Sequence, residues 1–242
     1  MIMMILGIDT STEVLGLALA DENKIKAEYN LRLRRQHSEK LLPLISEMFK
    51  TLDTDPSEIE AVAVSTGPGS FTGLRIGITA AKIISRINNI PIKGVSTLEV
   101  MAASVKNCGV IIPLIDAGRK RFYFSIYLRE NNKLKLISDP ETAQLDIISK
   151  KTASAAGSRN IYVVGEKSRK AADMLTLELD NNIIYPGREF DYPRSSVLAV
   201  LGHEYIEQKR EDDLYKIKPE YLKKPQAEIN WLKKYGSKKS GS

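Results

Sequence analysis

The run Gly67-Pro68-Gly69-Ser70-Phe71-Thr72-Gly73-Leu74-Arg75-Ile76-Gly77 carries the clearest chemical signal in the chain. It joins the apolar stretch IEAVAVST to the periodic stretch LRIGITAAKIISRI, so it reads as a strand-to-helix turn. Such a turn presents unpaired backbone N–H groups at the positive end of a helix, where an anion can sit. No Gly-Lys-Ser/Thr follows, so no lysine reaches a terminal phosphate, and the spacing is not G-x-G-x-x-G. A tight turn without a ligand is the plainer reading. Asp9-Thr10-Ser11 and Asp116-Ala117-Gly118 each close an apolar run with ordinary turn residues. Their matching places in the two halves leave open a phosphate-type cleft built from Asp9, Thr10, Ser11, Gly67, Gly69, Ser70 and Asp116.

Other chemistries lack their residues. The two histidines, His37 and His203, are far apart and form no HxxxH or HxxH pair. With one cysteine besides, no zinc set is expected. Cys108 reads as a small buried residue ending an apolar helix. Ser70 does not fit the G-x-S-x-G nucleophile elbow. No catalytic residue and no metal ligand is therefore expected.

The elements that position these groups alternate between strand and helix. MMILGID, VLGLALA and IKAEYNLRL read as three strands joined by DTST and DEN turns. A helix then opens at His37-Ser38-Glu39, with Ser38 as its cap. Pro43 inside it predicts a kink or a late start. After the Gly-rich turn and its helix come VIIPLIDAG, RFYFSIYLR and KLKLIS as strands, the last two paired across Asn131-Asn132. TASAAGSRN reads as a loop, IYVVG as a strand, EKSRKAADMLTLEL as a helix, and SSVLAVLGHEYIEQKR as an amphipathic last helix capped by Ser195 or Ser196. The arrangement over residues 4–20 recurs at residues 110–128, which argues for an α/β fold of two related halves.

Two helices carry more apolar or smooth surface than one sheet requires. Leu41, Leu42, Leu44, Ile45, Met48, Phe49 and Leu52 fall within an arc of about 160°, where a helix on one sheet needs about 100°. Gly73, Gly77 and Ala81 recur every fourth residue, and glycine inside a helix costs about 1 kcal/mol relative to alanine. The smooth stripe packs either on the chain's own sheet or on another protein. On the second reading, a bulky residue at Gly77 weakens pairing and leaves the fold intact.

The 242 residues, 43% of them hydrophobic, suffice for one large domain or two small ones. The first residues lack a basic lead, and their apolar runs fall short of the ~20 residues a membrane span needs, so neither a targeting signal nor a membrane segment is expected. A single cysteine excludes an intrachain disulfide and makes a reduced, cytoplasmic setting the default. The net charge of +6 is concentrated after Ile206, where a basic tail reads as solvated or as touching RNA.

Five segments carry a resemblance. IDTST, HSEKLLPLI, AVAVSTGPGSFTGLRIGITAAK, IPIKGVSTLEVMA and PEYLKKPQAE resemble the TsaB (YeaZ) family. The resemblance implies two ribonuclease-H-like subdomains of the actin/hexokinase-like (ASKHA) superfamily. Their expected limits are residues 1–103 and a degenerate 104–194, then a helix over 195–210 packing back on the body and a basic tail over 211–242. It implies a non-catalytic partner of TsaD, the transferase that installs threonylcarbamoyl on the adenosine beside the anticodon of tRNAs reading codons that begin with A. TsaE joins the complex, tRNA is met through it, and the isolated chain is a homodimer. No cofactor of its own is implied, with ATP or ADP held only in the assembled complex.

The family's dimer face carries over to Leu41, Leu42, Ile45, Met48, Gly73, Leu74, Gly77 and Ala81. Where TsaD has its HxxxH metal pair, this chain has Thr97 and Met101, and neither supplies imidazole. The family's Asp-Ala-Arg reads Asp116-Ala117-Gly118 here, with Arg119 one place later. The competing reading is an ATPase or small-molecule kinase of the actin/hexokinase type, using Asp9, Asp116 and the Gly67–Ser70 turn on phosphates. A peptidase is weaker still, for want of a nucleophile–base pair.

Overall fold

The computed structural model describes residues 3–22, 24–33 and 36–222. In chain order the elements are β1 (Ile5–Asp9), β2 (Val14–Ala20), β3 (Ile25–Arg32), α1 (His37–Thr51), β4 (Ala61–Gly67), α2 (Phe71–Asn88), β5 (Ile92–Ser96) and α3 (Thr97–Ser104). There follow β6 (Gly109–Asp116), β7 (Phe122–Glu130), β8 (Lys133–Ala143), α4 (Leu145–Ala156), β9 (Ile161–Gly165), α5 (Ser168–Thr176), β10 (Ile183–Ile184) and α6 (Ser195–Glu207). They form two five-stranded mixed sheets, ordered β3-β2-β1-β4-β5 and β10-β9-β6-β7-β8.

In the first sheet β1, β2 and β4 are buried along their whole length. Their nearly unbroken apolar sequences follow from having both faces covered. Alternation sends Leu6, Ile8, Leu15, Leu17 and Leu19 to the face beneath α1 and α2, where they meet Leu41, Ile45, Met48, Ile78 and Ala81. Ile5, Ala18, Ala61, Ala63 and Val95 point the other way, onto Leu198 and Ala199 of α6. In the second sheet Val110, Ile112 and Leu114 pack on Ile148 of α4 and on Ala172 and Leu175 of α5. Its opposite face takes Leu98, Met101 and Ala102 of α3, while Val100 of the same short helix joins the α6 cluster.

The two sheets repeat one scheme. β1 is antiparallel to β2 and parallel to β4, as β6 is antiparallel to β7 and parallel to β9. The recurrence read between residues 4–20 and 110–128 is this shared plan of a central strand followed by its hairpin partner. Asn131 and Asn132 make the second hairpin with φ of 49° and 62°, the left-handed pair that a two-residue type I′ turn demands.

Local details depart from expectation. The first helix is capped at Gln36 without any side-chain bond, not at Ser38. It starts at His37, ahead of Pro43, so no late start occurs. TASAA is no loop: it completes α4, which Gly157 ends and whose inward positions are Leu145, Ile148, Ser149, Thr152 and Ala156. Cys108 lies beyond α3 and is exposed. Neither Ser195 nor Ser196 caps α6. Glu28 of β3 does so from a distance, accepting from the Ser196 amide (3.0 Å) and hydroxyl (2.9 Å) and from Arg194 Nε (3.1 Å). Burial works against the Glu28 charge, but Arg194, Asn30 and Ser196 outweigh it and hold the carboxyl at about 2.

After α6 the chain turns back along the free edge of β5. The Asp212 amide donates to the Ile92 carbonyl (2.9 Å), and the Asp212 carboxylate accepts from the Gly94 amide (2.7 Å). Ile217 enters the first core, and the Glu220 amide donates to the Thr66 carbonyl (2.7 Å). The Tyr221 ring stacks on Phe71 with centroids 4.5 Å apart, and its hydroxyl accepts from Arg75 Nε (2.9 Å). The strap thus covers a sheet edge that would otherwise present unpaired backbone groups. The basic tail falls, from Lys223 on, outside the described residues.

Candidate functional site

The β1–β2 turn is the structural centre of the site. Asp9 is 1% exposed and both its oxygens are engaged. One accepts from the Ser11 amide (2.9 Å) and hydroxyl (2.8 Å), the other from the Ser65 hydroxyl. Burial pushes the Asp9 carboxyl up, against the pull of those Ser65 and Ser11 bonds. The carboxylate is turned into the protein, holding its own turn to β4.

That turn is seated on α2. Ser70 caps the helix by accepting from the Gly73 amide (3.2 Å). The Ser70 amide donates to the Ser11 carbonyl (2.7 Å), and the Thr10 hydroxyl donates to the Gly73 carbonyl (2.7 Å). A Cβ at Gly73 would run into the Thr10 carbonyl oxygen, and one at Gly77 into the Thr10 hydroxyl. The smooth stripe is occupied by the chain's own turn. A bulky residue at Gly77 therefore strikes that turn first, so an intact fold is no longer expected for it.

The remaining dimer-face residues divide in the same way. Leu41, Ile45, Met48, Leu74 and Ala81 are all buried in the chain's own packing. Leu42, 61% exposed, is the exception. The outward face of these helices shows Ile83 and Ile87 instead, 52% and 75% exposed, beside Lys82, Arg86 and Tyr215 of the strap. Ile83 and Ile87 are one turn apart and form an outer stripe that reasoning from the small residues passed over.

Between the two sheets opens a cleft of about 970 Å³. Ser11, Gly69 and Ser70 line it from the first half and Asp116 from the second, whereas Asp9, Thr10 and Gly67 stand behind it. The Asp116 carboxylate accepts from the Gly118 amide (2.8 Å) and pairs with Lys167. Glu166 lies beside it. Burial, then Asp116 and Glu13, push its carboxyl above the ordinary value. Across from this acidic wall stands His37, 8% exposed, at the start of α1. Sequence reasoning singled out neither His37 nor Glu166 for the cleft. Among the described residues no group of three or more His, Cys, Asp or Glu is placed to hold a metal. Thr97 and Met101 are buried in the core. No described helix is long and apolar enough to cross a membrane.

Comparison with known proteins follows the same lines. Residues 31–231 match the family described as TsaD: tRNA N6-adenosine threonylcarbamoyltransferase. The chain is 32% identical over 235 residues to the tRNA threonylcarbamoyladenosine biosynthesis protein TsaB of Bacillus subtilis, covering 95% of this chain and 98% of the relative. It is 27% identical to the protein of the same name from Haemophilus influenzae, covering 95% and 96%. Among solved structures, YeaZ from Pseudomonas aeruginosa matches with a TM-score of 0.76 at 20% identity, over 91% of this chain and all of that one. The ethanolamine utilization protein EutJ from Carboxydothermus hydrogenoformans matches with a TM-score of 0.51 at 13% identity, over 81% and 89%. At these identities the two structures speak for the fold alone.

Proposed function

The chain belongs to the TsaB (YeaZ) family of tRNA threonylcarbamoyladenosine biosynthesis proteins, and on that premise we propose that it acts as a non-catalytic partner of TsaD. In this reading it holds the transferase in its working shape, TsaE and tRNA are met through the complex, and any nucleotide is bound only there. The isolated chain pairs with a second copy, which TsaD displaces.

The observation that carries the reading is the state of the β1–β2 turn. An actin/hexokinase-type phosphotransferase needs backbone amides and a carboxylate free to meet phosphate or its metal. Here the Ser11 amide and one Asp9 oxygen are spent within the turn, the other Asp9 oxygen accepts from Ser65 of β4, and the turn is locked onto α2. Asp116 is likewise engaged by Gly118 and Lys167. The cleft keeps the place of such a site with the Asp9, Ser11 and Asp116 groups already engaged, which leaves the kinase reading little to work with. The outer face of α1 and α2, with Leu42, Ile83 and Ile87 in water, offers apolar side chains for a partner to cover.

The test is reconstitution. The chain mixed with the TsaD of its own organism should co-elute as a heterodimer and should be required for threonylcarbamoyladenosine formation in tRNA. ATP turnover by the isolated chain at a rate typical of kinases, or full modification by TsaD in its absence, would overturn the proposal.

A further inference from the structure

The outer face of α2 carries charge of one sign. Arg75, Lys82 and Arg86 are the charged residues of the helix, and it holds no carboxylate. The helix dipole accounts for a cation in the last turn, where Arg86 stands. It does not account for Arg75 in the second turn or for Lys82. Arg75 is engaged, lying over the Phe71 ring (4.0 Å) and donating to the Tyr221 hydroxyl (2.9 Å). Among the described residues Lys82 and Arg86 have no ion-pair partner. They flank Ile83 and Ile87, and with Leu214 and Tyr215 of the strap they line a shallow groove of about 360 Å³. Asp213, the strap's carboxylate beside the groove, is already held by Lys216 (3.3 Å) and by the Tyr215 amide (2.9 Å). On the neighbouring helix α1 the charges balance, Glu39 and Glu47 against Lys40 and Lys50.

A groove of this kind suits an occupant that is apolar along one stripe and acidic beside it. A second copy does not meet that description. A two-fold pair brings the same patch to the same patch, so each α2 would add cations to the interface and no carboxylate. A nucleic acid answers the cations but lays its charged backbone on Ile83 and Ile87.

We propose that the α2–strap groove selects an acidic amphipathic helix of the partner over a second copy of this chain. Apolar side chains of that helix cover Ile83 and Ile87, and its carboxylates reach Lys82 and Arg86. Given the partner reading on which this rests, charge is what lets TsaD displace the second copy.

The full chain is assayed by sedimentation, alone and with the TsaD of its own organism, at about 50 mM and about 500 mM salt. The heterodimer should weaken about three- to thirtyfold at the higher salt, as two exposed charge pairs are screened. Self-association should not weaken, because salt there screens a repulsion. Lys82→Gln with Arg86→Gln should weaken the heterodimer at low salt and flatten its salt dependence, while self-association holds or tightens. Lys82→Glu with Arg86→Glu should weaken the heterodimer further. A water-soluble carbodiimide, which joins amines to carboxylates without a spacer, should link Lys82 to an Asp or Glu of TsaD. A heterodimer indifferent to salt and to both variants overturns the proposal. So do neutral variants that weaken both pairs alike, a carbodiimide-treated heterodimer with Lys82 unlinked, or tRNA alone shielding Lys82 from acetylation. Heterodimer at low salt keeps the partner reading whatever the other results. A wild-type chain that forms none at either salt overturns that reading, and the selective groove with it.

Discussion

Replacing Gly73 by alanine tests whether α2 is seated on the β1–β2 turn. The added methyl points at the Thr10 carbonyl oxygen, closer than real Cβ atoms approach, and backbone on both sides leaves little room to relax. Overpacking of this kind costs about 1–3 kcal/mol. Displacing the turn also strains the 2.7 Å bond from the Thr10 hydroxyl to the Gly73 carbonyl, about 1 kcal/mol. Alanine's helix preference returns about 1 kcal/mol. The net expectation is a loss of about 1–3 kcal/mol. Gly77→Ala differs because its methyl meets the end of the Thr10 side chain, which can rotate away. That substitution trades about 1 kcal/mol of hydrogen bond for about 1 kcal/mol of helix preference and should be close to neutral. Urea unfolding of both variants, with Thr10→Ala/Gly73→Ala as a check that the hydroxyl is not the cause, gives the values. A Gly73→Ala protein as stable as wild type would refute the seating. So would a Gly77→Leu protein with unchanged stability and a weakened complex, since the stripe would then face a partner.

Three other outcomes are expected. Glu28→Gln should lose about 1–3 kcal/mol at neutral pH by weakening the Arg194 pair and the α6 cap, the range allowing for partial exposure. The folded carboxyl lies at about 2 against an ordinary 4.5. Wild type therefore keeps this contribution above the ordinary value and loses it as pH falls toward the folded one, so the two proteins' melting curves should converge in strong acid. Asp212→Ala should leave the Gly94 amide without its acceptor, cost about 1–2 kcal/mol and speed hydrogen exchange at Ile92–Gly94. Leu42→Glu combined with Ile87→Glu should change stability by less than about 0.5 kcal/mol because both side chains stand in water. It should also abolish co-elution with TsaD in size-exclusion chromatography, and unimpaired co-elution would remove α1 and α2 from the interface.

Much of the fold was legible because burial on two faces writes itself as unbroken apolar strands, as in VLGLALA and AVAVSTG. The turn before α2 was legible from its glycines, although the helix starts at Phe71 rather than Leu74, with Ser70 as its cap and Asn89 in the left-handed region at its end. α4 was not legible, since its inward face uses Ser149, Thr152 and Ala156, residues common in loops. The cap of α6 was hidden for another reason. It comes from Glu28, on a strand remote in sequence, so no local pattern announces it. The spacing of Gly73 and Gly77 reports that something approaches α2 closely, but periodicity does not say what, and the nearest claimant is the chain's own Thr10. His37 and Glu166 were missed for the cleft because only the packing of the two sheets brings a helix start and a strand end to one wall and its opposite.

One face of the first sheet is closed by α6, and its free edge by the strap, both contributed by the last segments of the described chain. During synthesis those residues leave the ribosome after both sheets have emerged, so Ile5, Ala18, Ala63 and Val95 stay wet until α6 follows them out. Any nascent or prematurely terminated product lacking residues 195–221 carries a bare greasy sheet with an open border, the surface that aggregation exploits and chaperones shield. The order of folding is thus the reverse of the order of manufacture for this half: what emerges first is finished last.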